Sequence, residues 1–196
     1  MELSDLGGLI ERARSREAGA FDELVAHYAP RLYGYLYRLT GSRHAAEDLL
    51  GELLVRLVRT IGEYRHDGRF DAWLFRIATN LARDRLRRAK VAREVQAGAG
   101  TDEDDGDGLL GRTIDARETG PLKTLSTAEQ IDRMQRAVGR LPEPEREVIL
   151  LRHFSEMSFK EIAELMGTPL GTALARAHRG LARLRELMGE ADEVHS

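Results

Sequence analysis

A chain of 196 residues with 42 % hydrophobic and 32 % charged side chains can bury one or two cores. This composition excludes a fully disordered or collagen-like chain, and a net charge of −3 argues against a uniformly basic nucleic-acid coat. The absence of cysteine excludes a disulfide framework, a thiolate metal site and a cysteine nucleophile.

No apolar run approaches the roughly 18 residues of a membrane span. The start, MELSDLGGLIERARSREAGAF, has neither a basic opening nor an apolar stretch and does not read as a signal peptide. The expectation is a cytoplasmic protein without membrane insertion.

Charge by segment says more than the total. Residues 1–95 carry 17 positive and 14 negative side chains, net +3. Residues 96–128 carry 3 and 7, net −4, and residues 129–196 carry 10 and 12, net −2. The middle segment, QAGAGTDEDDGDGLLGRTIDARETGPLKTLSTA, is rich in glycine and acid and has no apolar period, so it reads as a linker. The expected organisation is one domain over 1–95, a linker over 96–128 and a second domain over 129–196, neither containing a repeat.

Both pieces read as helical, because alternating strand patterns closed by tight turns are missing. Phe21, Leu24, Val25, Tyr28, Leu32, Tyr35, Leu36 and Leu39 follow a helical period, with Pro30 as a kink site and Gly41 as the stop. Ser42 suits the N-cap of a second helix that turns Leu49, Leu50, Leu53, Leu54, Leu57, Val58 and Ile61 inward. GEYRHDGRF breaks the period and reads as a loop. From about Asp71 a third helix turns Trp73, Leu74, Ile77, Ala78 and Leu81 inward.

After the linker, EQIDRMQRAVGRL makes a short amphipathic helix. LPEP stops and restarts the chain, with Pro144 in a first helical turn. Ser158 and Glu161 fit a capping box, and the helix they open ends at Gly167. Thr168 and Pro169 then suit the cap and first position of a last helix, running to about Met188.

Three constellations stand out. Two helices around a glycine turn make a helix-turn-helix layout. In its second helix Leu170, Ala173, Ala177, Leu181 and Leu184 form the expected inward stripe. Arg176, Arg179 and Arg183 share another face, and no acidic residue lies between Glu164 and Glu186. An arginine face without carboxylates suits a phosphate-lined groove, and arginine forks suit guanine edges. The bland alternative is a solvated basic face.

The second constellation is basic and aromatic. Arg76, Arg83, Arg85, Arg87, Arg88, Lys90 and Arg93 cluster beside Tyr64, Phe70, Trp73 and Phe75. This mixture suits single-stranded nucleic acid, held by charge along its backbone and by stacking of its bases. Its bland alternative is core packing for the aromatics and a solvated helix end for the arginines. The third constellation is Glu47, Asp48 and Glu52, read as a protein-docking face or plain solvation. The six histidines form no metal-ligand spacing, and no nucleophile elbow or phosphate loop occurs, so no metal, cofactor or catalytic apparatus is expected.

The order of these features resembles a known family. AFDELVAHYAPRLYGYLYRLTGSRHAAEDLLGELLVRLVRTIGEYRHDGRFDAWLFRIATNLARDRLRR resembles region 2 of bacterial RNA polymerase sigma factors of the extracytoplasmic-function (ECF) type. LPEPEREVILLRHFSEMSFKEIAELMGTPLGTALARAHRGLARLRELM resembles their region 4. The blocks cover about 20–90 and 129–188, in the family order.

The resemblance implies an all-α protein of two helical domains, a region 2 bundle and a region 4 helix-turn-helix, joined by a flexible linker. It implies that the chain binds core RNA polymerase, through the β′ clamp helices and the β flap, and directs initiation at promoters without chemistry of its own. Polymerase contacts fall on Glu47, Asp48, Leu49 and Glu52, around Gly51 where relatives commonly have Gln. Contacts to the −10 element and its single strand fall on Tyr64, Arg65, His66, Trp73, Arg76, Asn80, Arg83, Asp84, Arg87 and Arg88. Contacts to the −35 element fall on Thr168, Thr172, Leu174, Ala175, Arg176 and Arg179. Ala173-Leu174-Ala175 stands where many relatives carry Val-Lys-Ser. The acidic linker, with Asp102, Glu103, Asp104, Asp105 and Asp107, would run near the RNA path. An anti-sigma protein is a further expected partner. The competing readings are a helix-turn-helix regulator that works without polymerase and a decoy that binds polymerase without opening DNA.

Overall fold

The computed structural model describes residues 3–65, 68–98 and 133–193. Among them every regular element is a helix, as the sequence patterning predicts. The elements fall into two compact units, one built from the first four helices and one from the last four.

In the first unit, α1 (Leu3–Arg14) buries Leu9, Ile10 and Ala13. Sequence reading left residues 1–18 without an element, because a stripe this short gives little periodic signal. Helix α2 (Ala20–Thr40) buries Leu24, Tyr28, Leu32, Tyr35, Leu36 and Leu39 and runs continuously through Pro30. Gly41 ends it in the left-handed region, φ 69°, and returns its N–H to the Tyr37 carbonyl at 2.8 Å.

The Ser42 hydroxyl then accepts from the Ala45 N–H, opening α3 (Arg43–Thr60) as expected of an N-cap. The buried face of α3 is Ala45, Ala46, Leu49, Leu53 and Leu57, narrower than the predicted stripe. Val58 is exposed, since two partner helices cover little more than one row of an α-helix. A 3-10 turn at Ile61–Glu63 leads toward α4 (Phe70–Gly98). Helix α4 buries Phe70, Leu74, Phe75, Ala78, Leu81 and Ala82, whereas Trp73 and Ile77 are half-buried.

Three polar contacts tie α4 to α2. The Tyr35 and Thr79 hydroxyls share a hydrogen bond of 2.8 Å. The Tyr28 hydroxyl donates to Asp71 at 2.9 Å, and Arg31 pairs with the same carboxylate at 2.8 Å. Asp71 sits in the first turn of α4, so these contacts fix where that helix begins.

In the second unit, residues 133–139 form α5 and Glu143–Phe154 form α6, with Pro144 in the first turn as predicted. Helix α7 (Phe159–Met166) opens on the predicted capping box. Ser158 accepts from the Glu161 N–H, and Glu161 accepts from the Ser158 N–H at 2.9 Å. Gly167, φ 61°, closes α7, and the Thr168 N–H reaches back to the Ala163 carbonyl at 3.0 Å.

Helix α8 (Leu170–Glu193) follows. Its first intrahelical acceptor is the Pro169 carbonyl, and the buried Thr168 hydroxyl has no hydrogen-bond partner, so Thr168 is not the cap that the sequence suggested. The buried stripe of α8 is Ala173, Ala177 and Gly180, while Leu170 and Leu181, expected inward, are exposed. Small residues let α8 approach its neighbours closely, and the larger leucines are left at the margins of the contact.

Candidate nucleic-acid and polymerase interface

The residues singled out on α4 separate into a support and a face. Tyr64 is buried, with its ring 4.8 Å from Trp73 and 5.2 Å from Phe70. Trp73 lies 5.4 Å from Phe70, and Phe70 lies 5.4 Å from Tyr28. Tyr64 therefore belongs to an aromatic cluster that packs the start of α4. Its face is covered, and only half-buried Trp73 shows part of a ring to solvent. Phe75 is fully buried.

Arg76 and Asn80 are exposed, and Arg83 and Arg87 continue the same face at spacings of three and four. Arg87 pairs with Asp84 at 2.8 Å, and Arg88 donates to the Asp84 carbonyl at 3.2 Å. Arg65 is exposed in the loop before α4, His66 lies outside the described residues, and the Arg93 side chain does too.

On α3, Glu47, Asp48 and Glu52 are exposed. Leu49 is 1 % exposed and belongs to the core, so of the four residues expected at a docking face only the three carboxylates are exposed. Asp48 is also held by Arg85 of α4 at 3.1 Å, with His44 at 3.6 Å. Sequence reading missed this link between the acidic and basic constellations, which are 37 residues apart. Gly51 is exposed, and a Cβ there would meet nothing within 4 Å.

On α8, Leu174 is exposed, whereas Thr172, Ala175 and Arg176 are half-buried. Thr168 is half-buried in the turn before it. The arginine face is not free of carboxylates. Glu145 of α6 meets Arg179 at 3.3 Å and Arg183 at 2.9 Å. The acid-free stretch between Glu164 and Glu186 could not reveal a partner brought in by tertiary packing.

The described residues thus carry a helical bundle with a cationic face, followed in the chain by a helix-turn-helix. The Sigma-70 region 2 family model matches residues 24–91, and the Sigma-70 region 4 model matches residues 131–184. The chain is 34 % identical to the ECF RNA polymerase sigma factor SigW of Bacillus subtilis over 90 % of its own length and 93 % of the relative's. This chain belongs to the sigma-70 family, as an ECF sigma factor.

The RNA polymerase sigma factor CarQ of Myxococcus xanthus is similar at 36 % identity, over 93 % of this sigma factor and 97 % of CarQ. Among solved structures, the sigma factor RpoE of Bartonella quintana, in complex with the anti-sigma factor NepR, superposes with a TM-score of 0.66. It is 26 % identical, covering 86 % of this chain and 96 % of that one. As an ECF sigma factor the protein directs promoter-specific transcription. Its region 2 match spans most of α2, all of α3 and most of α4, and its region 4 match takes in α5 to α7 and the larger part of α8. Among the described residues no helix is long and apolar enough to cross a membrane.

Proposed function

We propose that this sigma factor divides its work between its two units. The first, assigned to residues 1–95, docks on the β′ clamp helices of core RNA polymerase and captures the −10 element. The second, assigned to residues 129–196, contacts the β flap and reads the −35 element. Residues 96–128 tether them, and the factor acts in the cytoplasm, where polymerase and chromosome are. It supplies recognition and strand separation, and the polymerase supplies the chemistry.

On α3 the contacts are electrostatic, with Glu47, Asp48 and Glu52 meeting basic polymerase residues. On α4 the stripe of exposed Arg76, Asn80 and Arg87 with half-buried Arg83 meets the non-template strand. Asn80 offers a donor and an acceptor to a base edge, and the arginines, with Arg88, meet phosphates. That stripe is the observation that carries the proposal, because it faces solvent on a helix whose opposite side is anchored in the core. Arg65 and His66, which precede α4 in the sequence, are assigned to the same strand, and Asp84 orients Arg87. Extruding a base costs a few kcal/mol, which stacking and phosphate contacts offset. On α8, Thr172, Leu174, Ala175, Arg176 and Arg179 lie toward the major groove, with Thr168 at its edge.

The relative solved with the anti-sigma factor NepR supports a partner of that class for this chain as well. Permanganate footprinting of holoenzyme on a cognate promoter tests strand separation. Unpaired thymines at −10 that disappear with Asn80→Ala are expected. Full holoenzyme formation with no reactive thymine would leave a decoy that binds polymerase without opening DNA.

A further inference from the structure

The side chain of Glu145 is 8 % exposed, yet each of its carboxylate oxygens is taken by a different arginine of α8. Arg179 Nε lies 3.3 Å from Oε1, and Arg183 Nη1 lies 2.9 Å from Oε2. Both arginines keep about half of their side-chain surface in solvent, 56 % and 49 %. The approach depends on Gly180, where a Cβ would stand 3.1 Å from the Cβ of Glu145 and 2.6 Å from Ile149 Cδ1. Arg176, on the same face, has no ion-pair partner among the described residues.

This arrangement has two physical consequences. A buried carboxylate stripped of its cations is left uncompensated, so Arg179 and Arg183 stay where Glu145 holds them. Each guanidinium has five N–H donors, so both can keep Glu145 and still present donors outward. The cluster of two cations and one anion therefore presents an ordered surface of net charge +1 rather than a mobile +2.

We infer that Glu145 is a positioning residue of the DNA-facing helix, which fixes Arg179 and Arg183 and removes one unit of charge from its basic face. This limits the attraction of the free factor to DNA that carries no promoter. The inference rests on the reading of α8 as the −35 reader.

The test is the salt dependence of binding of the full chain to a non-promoter duplex. Each phosphate neutralised contributes about 0.9 to the slope of log K against log salt. Glu145→Gln is expected to steepen that slope by about 0.9 and to tighten binding at low salt, and Glu145→Asp to restore the original slope. Arg183→Gln, measured independently, is expected to make the slope shallower by about 0.9. A role confined to packing would shift the melting temperature of Glu145→Gln and leave its slope unchanged, which overturns the inference. Arg176→Ala separates this from the underlying reading. If it weakens duplex binding while Glu145→Gln leaves the slope alone, only the role of Glu145 falls. If neither variant changes binding, the assignment of α8 to DNA falls with it.

Discussion

Tyr28 shows how one buried hydroxyl sets the register of a functional helix. Its phenol donates to Asp71, and burial, reinforced by that carboxylate, raises its pKa well above the usual 10.0. The unfolded chain therefore loses this proton first as pH rises. The contribution of Tyr28 to stability is intact below about pH 10 and declines above it. Tyr28→Phe is expected to lower stability at pH 7 by about 1.5–3 kcal/mol through the lost hydrogen bond to a charged group. It should also flatten the alkaline decline, and urea melts at pH 7 and pH 11 measure both effects. At Gly51 the opposite sign holds. Gly51→Ala adds a methyl group to open space on α3 and is expected to stabilise by about 1 kcal/mol. Gly180→Ala is expected to destabilise instead, because its Cβ would stand 2.6 Å from Ile149 Cδ1 and 3.1 Å from the Glu145 Cβ. Denaturant midpoints of the two variants compare them directly.

Helix ends test the difference between a cap that forms and one that only fits the sequence. Ser158→Ala removes the capping box of α7 and is expected to cost about 1 kcal/mol. Thr168→Ala, which deletes a methyl group and a buried hydroxyl without a partner among the described residues, is expected to cost less than Ser158→Ala. Thermal melts of the two variants check this, with a loss in Thr168→Ala equal to that in Ser158→Ala as the contrary result. These ends also show what a sequence can reveal. Gly41, Ser42, Pro144, Ser158 and Gly167 act through neighbours a few residues away, and all were legible. The covering of Tyr64 and Leu49, the exposure of Leu170 and Leu181, and the pairing of Glu145 with two arginines depend on which helix packs where. Arg179 lies 34 residues from Glu145, and no local spacing encodes that contact. Helix α1 escaped notice for a different reason, since its stripe of Leu9, Ile10 and Ala13 is too short to show a period.

At the scale of the molecule, the total of −3 conceals an uneven distribution of charge. The first segment is net positive, and α4 gathers its excess onto an exposed stripe. In the second unit the arginines of α8 are partly balanced by Glu145, so its basic face is weaker than a one-dimensional reading of the helix suggests. On the proposed assignment, such a factor is expected to hold DNA weakly by itself and to depend on polymerase to place both units on one promoter. Run-off transcription with core polymerase on genomic fragments, followed by mapping of the start sites, tests this most directly. Discrete transcripts that need the full chain, and are lost when Asn80→Ala and Arg176→Ala are combined, are expected. Core polymerase that gives the same transcripts with and without the chain would contradict that assignment.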